Sequence, residues 1–541
     1  MADYDADVVI VGAGVAGALM AAKLAQAGVK VLILEAGPSG DRAASLATYQ
    51  QALAKTPDSP YPDTAYAPRP SVLSLKDGYY LQKGRDLFKS TYERRVGGTT
   101  WHWLGTTLRL HPNDFELKTR YGIGLDWPIQ YRDLEPYYLQ AESEMGVAGD
   151  SAEDLGSPRS GPYPMPPLPQ SYLDKQLAKA LSGSKFEVRS TPQARNSELY
   201  DERPPCCGNS SCIPICPIQA KYDATVHTKK AIAAGAQLLD KSVVSGVVVG
   251  AEGTVSEVRF KRPDGSEHRA TGRRFVLAAH AIETPKLLLM SRTNALPNGV
   301  ANRSDQVGRN LMDHPAQLSW ALAKDPVFPY RGPLSTSGIE NLRDSEARSS
   351  YAHFRIEIGN DGWSWPRGDV TVLASELIGQ GLWGDDLNTV LREHAAREVR
   401  VTSLCEQLPD PENRIVPAFN TPDALGIPRP QIHYNVDAYT QRGLEQARQK
   451  HTAIFQALGA RDIHHRDEYE GAGHIMGTYR MGNDPKTSVV SAEQRSHDHL
   501  NLFLVGSGVF PTVGNANPTL TIAALALQAA GTVQRDLQTG T

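Results

Sequence analysis

The residues from Asp7 to Glu35 constrain this chain more than any others. Val8-Val9-Ile10-Val11 is a β-branched run suited to a strand buried on both faces, and Gly12-Ala13-Gly14-Val15-Ala16-Gly17 turns it into an alanine-rich helix. The spacing is G-x-G-x-x-G. Gly12 permits the tight turn, Gly14 lets backbone approach a pyrophosphate, and Gly17 lets helix and strand pack closely, with the helix N-terminus facing the phosphate charge. A second strand, Val29 to Leu34, ends in Glu35, where a carboxylate accepts hydrogen bonds from a ribose diol and disfavours a 2′-phosphate. The plain alternative is a glycine turn without a ligand. Strand, helix and terminal acid together favour a dinucleotide, with FAD and NAD both open at this point.

At 541 residues the chain has room for about three domain-sized units of ~150 residues. A net charge of −4 and a pI near 6.4, without runs of like charge, exclude a nucleic-acid surface. The acidic start Met1-Ala2-Asp3-Tyr4-Asp5 leads straight into the first strand and does not read as a signal peptide. No apolar run reaches the ~18 residues of a membrane span. The longest, Leu520 to Ala530, is broken by Thr521 and Gln528, so the chain alone reads as soluble and globular.

Four of the five cysteines crowd into Cys206-Cys207-Gly208-Asn209-Ser210-Ser211-Cys212-Ile213-Pro214-Ile215-Cys216-Pro217. This pattern suits a tight loop around an iron–sulfur cluster, with proline stiffening the turn. Zinc would more usually show two C-x-x-C pairs, disulfides leave Gly208 and Asn209 without a role, and haem attachment needs a C-x-x-C-H that is absent. Cys405 reads as a buried small hydrophobe. Elsewhere, Leu134 to Gly146 reads as an amphipathic helix, residues 161–169 as a proline-rich connector, and Gly235 to Arg274 as β-structure with a hairpin at Pro263-Asp264-Gly265. Thr284-Pro285 and Asn517-Pro518 both read as helix starts, the second capping a helix over Thr519–Gln534. Residues 40–80 suggest no function, and 316–455 are the least recognisable. Trp363 and Trp365 offer faces for sugar rings, though core packing is the commoner role.

Several motifs resemble the glucose-methanol-choline (GMC) oxidoreductases, FAD enzymes that oxidise alcohols. They are the N-terminal fingerprint, Gly97-Gly98-Thr99-Thr100-Trp101-His102-Trp103, Asp126-Trp127-Pro128, Asp133 to Tyr138, Val276 to Leu288, and Val307 to Pro315. The resemblance covers nearly the whole chain and implies an α/β fold: a discontinuous Rossmann-like FAD-binding domain plus a substrate domain with an antiparallel sheet. The FAD-binding domain is expected from residues 1–125, 195–315 and 456–541, with an iron–sulfur loop at 203–220, and the substrate domain from 126–194 and 316–455. Gly12, Gly14, Gly17, Glu35, Gly97, Gly98, Thr99, Val243, Gly506, Ser507, Asn517 and Thr519 are implied to hold FAD. His102 matches the position at which pyranose oxidases of the family attach the flavin covalently; the other reading is a histidine packed between aromatic rings.

His474, in Gly473-His474-Ile475-Met476-Gly477-Thr478, and Asn517 match the family's paired catalytic positions. An imidazole near its free pKa of ~6.5 takes the hydroxyl proton as the carbon-bound hydride leaves for the flavin, and the amide orients the same hydroxyl. Asp313 and His314 look catalytic, but the motif that holds them has a structural role in the family. Bacterial membrane-bound sugar dehydrogenases of this family carry a similar cysteine loop around a 3Fe-4S cluster, which maps its ligands onto Cys206, Cys212 and Cys216 and leaves Cys207 spare.

The expectation is therefore a dehydrogenase for a sugar, sugar alcohol or sugar acid that passes electrons through the cluster to a multihaem cytochrome c subunit. A small subunit carrying the twin-arginine signal would export it to the periplasmic face of the inner membrane, with membrane association through partners alone. The missing signal agrees equally with a cytoplasmic enzyme. Two alternatives stand: a soluble oxidase of the pyranose-oxidase kind, and a non-catalytic flavin and iron–sulfur electron carrier.

Overall fold

The computed structural model describes residues 3–53, 56–360 and 370–540. Trp363 and Trp365 lie outside the described residues. A first, seven-stranded sheet is built around the fingerprint strand Tyr4–Val11, which pairs in parallel with Val31–Leu34 on one side and Glu267–Leu277 on the other. Gln237–Leu239 extends it beyond Val31–Leu34. The long strand Glu267–Leu277 then divides: its end pairs in parallel with Leu502–Leu504, while its start joins the antiparallel strands Val255–Lys261 and Val243–Val249. The expected turn at Pro263-Asp264-Gly265 is present, with Gly265 at φ +83°.

Val8, Val9 and Ile10 are fully buried because both sheet faces are covered. One face carries the helix Val15–Gln26, packed against Thr519–Thr539 and Thr225–Ala233. Alanines at positions 16, 21, 22, 526, 529 and 530 allow this close approach. The helix Tyr131–Met145 packs on Thr519–Thr539, and its Glu144 pairs with Lys23 of Val15–Gln26 and His227 of Thr225–Ala233. That helix was expected in the substrate segment 126–194, yet Leu134, Tyr138, Ala141 and Met145 pack into the first sheet's core with Leu520 and Ala524.

A second, six-stranded antiparallel sheet runs Arg461–His465, Ala316–Leu322, Glu398–Cys405, Phe354–Gly359, Ser337–Ile339 and Val188–Ser190. This places the boundary expected at residue 456 too early. After the helix Ala438–Ala457, a turn at Gly459 returns the chain into the second sheet before it re-enters the first.

Two helix starts differ from expectation. The helix His280–Met290 begins before Thr284-Pro285, which lies inside it. Asn517 makes no capping bond to Thr519–Thr539, because other elements claim its amide. No helix among the described residues is long and apolar enough to cross a membrane.

Candidate active site

A cavity of about 410 Å³ runs from the fingerprint turn to the second sheet. Gly12 turns at φ +103°, where a Cβ would meet the Ala278 carbonyl oxygen at 2.5 Å, and a Cβ on Gly17 would lie 2.0 Å from the Gly12 oxygen. Gly14 instead faces open space, with nothing within 4 Å of its would-be Cβ. Tight turn, open approach and close helix packing thus fall on Gly12, Gly14 and Gly17 in turn. Glu35 lines the cavity with Oε2 accepting from Ala13 N at 2.8 Å and Oε1 from Gly37 N at 2.9 Å, and burial raises its pKa. Gly98, Thr99, His102, Val243, Gly506, Ser507, Asn517 and Thr519 also line this cavity. Gly97 is not among the lining residues, but its N–H donates to Ala13 O at 2.9 Å and ties the second glycine turn to the first.

Three buried atoms on cavity-lining residues lack a hydrogen-bond partner: Glu93 Oε1, Arg95 Nη1 and His102 Nδ1, the last 3.9 Å from Glu93 Oε1. An unsatisfied buried polar group is costly, so a polar ligand in the cavity accounts for them. Burial, helped by the nearby Lys221 ammonium, pushes the His102 pKa down to about 4. A cluster missed in the sequence also lines the cavity. Glu283 accepts from Tyr79 at 2.9 Å and from Lys286 at 2.7 Å, and the flanking Lys286 and Arg94 cations overcome burial to hold it down to about 2. His280 stacks on Tyr92 with ring centroids 4.2 Å apart. Both residues lie in the Val276 to Leu288 motif, which was read for its backbone alone.

At the other end, four side chains from distant parts of the chain meet. His314 Nδ1 lies 2.9 Å from His474 Nδ1, His314 Nε2 lies 3.0 Å from the Gly514 oxygen, and His474 Nε2 lies 3.4 Å from Asn517 Nδ2. Asn517 Oδ1 accepts from Arg355 Nη1 at 3.1 Å, while Arg355 also bonds Glu340 and Glu357. Asp313 touches neither ring. Its Oδ1 accepts the backbone N–H of His314 at 2.8 Å and of His474 at 3.0 Å, and its Oδ2 accepts from Ser90, whose Oγ takes the Gly473 N–H at 2.7 Å.

The His474 pKa is not near its free value, as the sequence suggested. Its ring lines the cavity, where burial, then His314 and Arg355, hold it well below 6.5. Burial likewise pushes His314 down to about 4. Both imidazoles are neutral at neutral pH. Glu357, Arg400 and Thr402 complete a polar wall from the second sheet, which lies within the segment 316–455 expected to form the substrate domain.

The cysteine loop borders this cavity through Ile213. Cys212 and Cys216 are buried, Cys206 is half-buried and Cys207 is exposed; all are free thiols. Among the described residues, no three His, Cys, Asp or Glu side chains are gathered as a metal site requires. The buried Lys221 ammonium ties the loop to the His102 segment, donating to the carbonyls of Cys212 at 2.8 Å, Trp101 at 3.0 Å and Trp103.

Residues 7–128 match the FAD dependent oxidoreductase family model, and residues 168–316 and 409–526 match the two GMC oxidoreductase models. The chain is 39% identical over 547 residues to the fructose dehydrogenase large subunit of Gluconobacter japonicus, covering 99% of each chain. The chain belongs to the GMC oxidoreductase family. This GMC oxidoreductase is also 24% identical to the gluconate 2-dehydrogenase flavoprotein of Pantoea cypripedii, over 96% of this chain and 92% of that one. A formate oxidase crystal structure shares the fold, with a TM-score of 0.66 at 16% identity, covering 99% of this chain and all of that one. As a GMC oxidoreductase the protein is an FAD-dependent enzyme acting on CH–OH donors.

Proposed function

We propose that this protein is a dehydrogenase that oxidises a hydroxyl of a sugar, sugar alcohol or sugar acid, with His474 as the base and Asn517 as the group that orients the hydroxyl. The observation that carries this reading is the neutral His474 with Nε2 beside the Asn517 amide at the end of the cofactor cavity. FAD bound in the cavity supplies the acceptor for the hydride that leaves the carbinol carbon. A hydroxyl entering between the two side chains donates its proton to His474 Nε2 and accepts from Asn517 Nδ2, replacing their long 3.4 Å contact. Arg355 holds the amide in that orientation. Glu357, Arg400 and Thr402 offer acceptors and donors to the remaining hydroxyls. His102 is proposed as the point of covalent flavin attachment, in keeping with its unpartnered Nδ1.

The likeness to a fructose dehydrogenase large subunit supports neutral sugars as the first substrates to try and supports assembly with further subunits; the proposed partners are a small export subunit and a cytochrome c, at the periplasmic face. Cys206, Cys212 and Cys216 would hold a 3Fe-4S cluster, which passes electrons singly to such a partner. Their thiol chemistry suits it, with the Lys221 cation and Arg195 near the thiols to offset thiolate charge. Their positions here do not form a closed three-thiol cradle, and that observation favours the second reading, a soluble oxidase that uses oxygen. Iron, acid-labile sulfide and low-temperature EPR on protein purified without oxygen decide between them. About three irons per flavin, with the signal of an oxidised 3Fe-4S cluster, are expected. Iron-free protein that forms hydrogen peroxide during turnover would establish the oxidase instead.

A further inference from the structure

The hydrogen bonds around His474 leave no choice about which ring nitrogen carries its proton. We infer that His314 is a positioning residue that holds His474 in the Nδ1–H form, so that the Nε2 lone pair faces the bound hydroxyl. This rests on the reading of His474 as the base.

One chain of contacts fixes the proton from both ends. The Gly514 carbonyl oxygen can only accept, so His314 Nε2, 3.0 Å away, must carry a hydrogen. A neutral imidazole has one N–H, which leaves His314 Nδ1 with a lone pair. Across the 2.9 Å contact, His474 Nδ1 must then be the donor, and His474 Nε2 is left with the lone pair. From the other end, the Arg355 guanidinium can only donate, so the Asn517 atom 3.1 Å from its Nη1 is the carbonyl Oδ1. The amide nitrogen therefore points to His474 Nε2 and to Glu357 Oε1, both at 3.4 Å, and both must accept. Two anchors that share no residue demand the same form of His474.

The arrangement differs from a triad in which a carboxylate orients the imidazole. Asp313 is adjacent in sequence to His314 but spends its Oδ1 on backbone N–H groups, so a neutral histidine is the orienting group. When the substrate O–H bond breaks and an N–H bond forms at His474 Nε2, the electron pair of the C–H bond leaves as hydride to the flavin. His474 then carries two N–H groups, and the Nδ1–H stays bonded to the His314 lone pair. His314 does not face the hydroxyl itself: its Nδ1 lone pair is turned to His474 Nδ1 and its Nε2–H to the Gly514 carbonyl.

The test uses the flavin-loaded protein with His314→Leu, His314→Gln and His474→Ala, mixed anaerobically with a reducing sugar or polyol that bleaches the wild-type flavin. A catalytic imidazole in the wrong tautomer costs up to ~10⁴-fold, so His314→Leu is expected to retain flavin and slow its reduction about 10²-fold or more. His314→Gln offers a carbonyl to His474 and an amide N–H to Gly514, and is expected to recover the rate to within about tenfold of wild type. Ring-¹⁵N NMR of histidine-labelled wild-type protein, with His474 assigned by its loss in His474→Ala, is expected to show the proton on Nδ1. That spectrum stands even if His314→Leu fails to fold. A proton on Nε2, or a wild-type rate in His314→Leu alongside a dead His474→Ala, overturns the role of His314. A wild-type rate in His474→Ala overturns the base itself.

Discussion

Replacing Asp313 tests how the two imidazoles are held. Its Oδ1 takes two buried backbone N–H groups, those of His314 and His474, and its Oδ2 takes the Ser90 hydroxyl. In Asp313→Ala the two N–H groups lose their acceptor, and an orphaned buried donor costs ~1–3 kcal/mol, so the variant should lose about 2–6 kcal/mol of stability. In Asp313→Asn the amide oxygen still accepts both. Only the Ser90 hydroxyl, now facing an NH₂, must find a new partner, which costs about 0.5–1.5 kcal/mol. The assay is the urea midpoint of the flavin-loaded proteins, read by flavin fluorescence and by far-UV circular dichroism, together with anaerobic flavin reduction. The expected order in both stability and reduction rate is wild type, then Asn, then Ala. An Ala variant within about 0.5 kcal/mol of wild type, the range of an ordinary surface change, would refute the reasoning.

His111 carries a prediction about pH. It is buried away from the cavity, its Nε2 bonds the Leu155 oxygen at 2.9 Å, and burial beside the Arg343 guanidinium pushes its pKa down to about 4. Below pH 6.5 the unfolded chain takes up a proton that the folded chain refuses, so its contribution is intact above 6.5 and is lost as pH falls toward 4. The loss at pH 5 is about 2 kcal/mol. His111→Gln keeps a donor for Leu155 and should remove that share of the pH dependence; equal urea midpoint shifts between pH 8 and pH 5 in both proteins would show that His111 does not titrate this way. Asn517→Ala should keep flavin bound yet slow its reduction by about 10²–10³-fold, the range for removing one donor aimed at a reacting oxygen. Stopped-flow rates equal to wild type would remove the amide from the mechanism.

The fingerprint turn was legible because its signals are local. Gly12, Gly14 and Gly17 each do one job within a single turn, and their neighbours in sequence are their neighbours in space. The proposed catalytic end was legible only in part, because its contacts join residues far apart in the chain. His314 and His474 are 160 positions apart, and nothing near either one indicates that their rings touch. Asn517-Pro518-Thr519 has the chemistry of a helix cap, but Arg355 on a strand of the other sheet claims the amide. That strand misleads as well. Phe354-Arg355-Ile356-Glu357-Ile358 alternates as a strand with one wet face would, yet every residue in it is buried, and its charged face meets the site. In the same way, Leu134 to Met145 was recognisable as a helix from its apolar spacing, whereas its packing on the distant helix Thr519–Thr539 was not.

The central claim is that His474 Nε2 removes the hydroxyl proton as hydride leaves for the flavin. Anaerobic single-turnover reduction of the flavin, by whichever sugar or polyol bleaches the wild-type protein, tests it most directly when repeated on His474→Ala. The expected result is a variant that retains its flavin and reduces it about 10²–10⁴-fold more slowly. A variant with full flavin content and the wild-type rate would contradict the account.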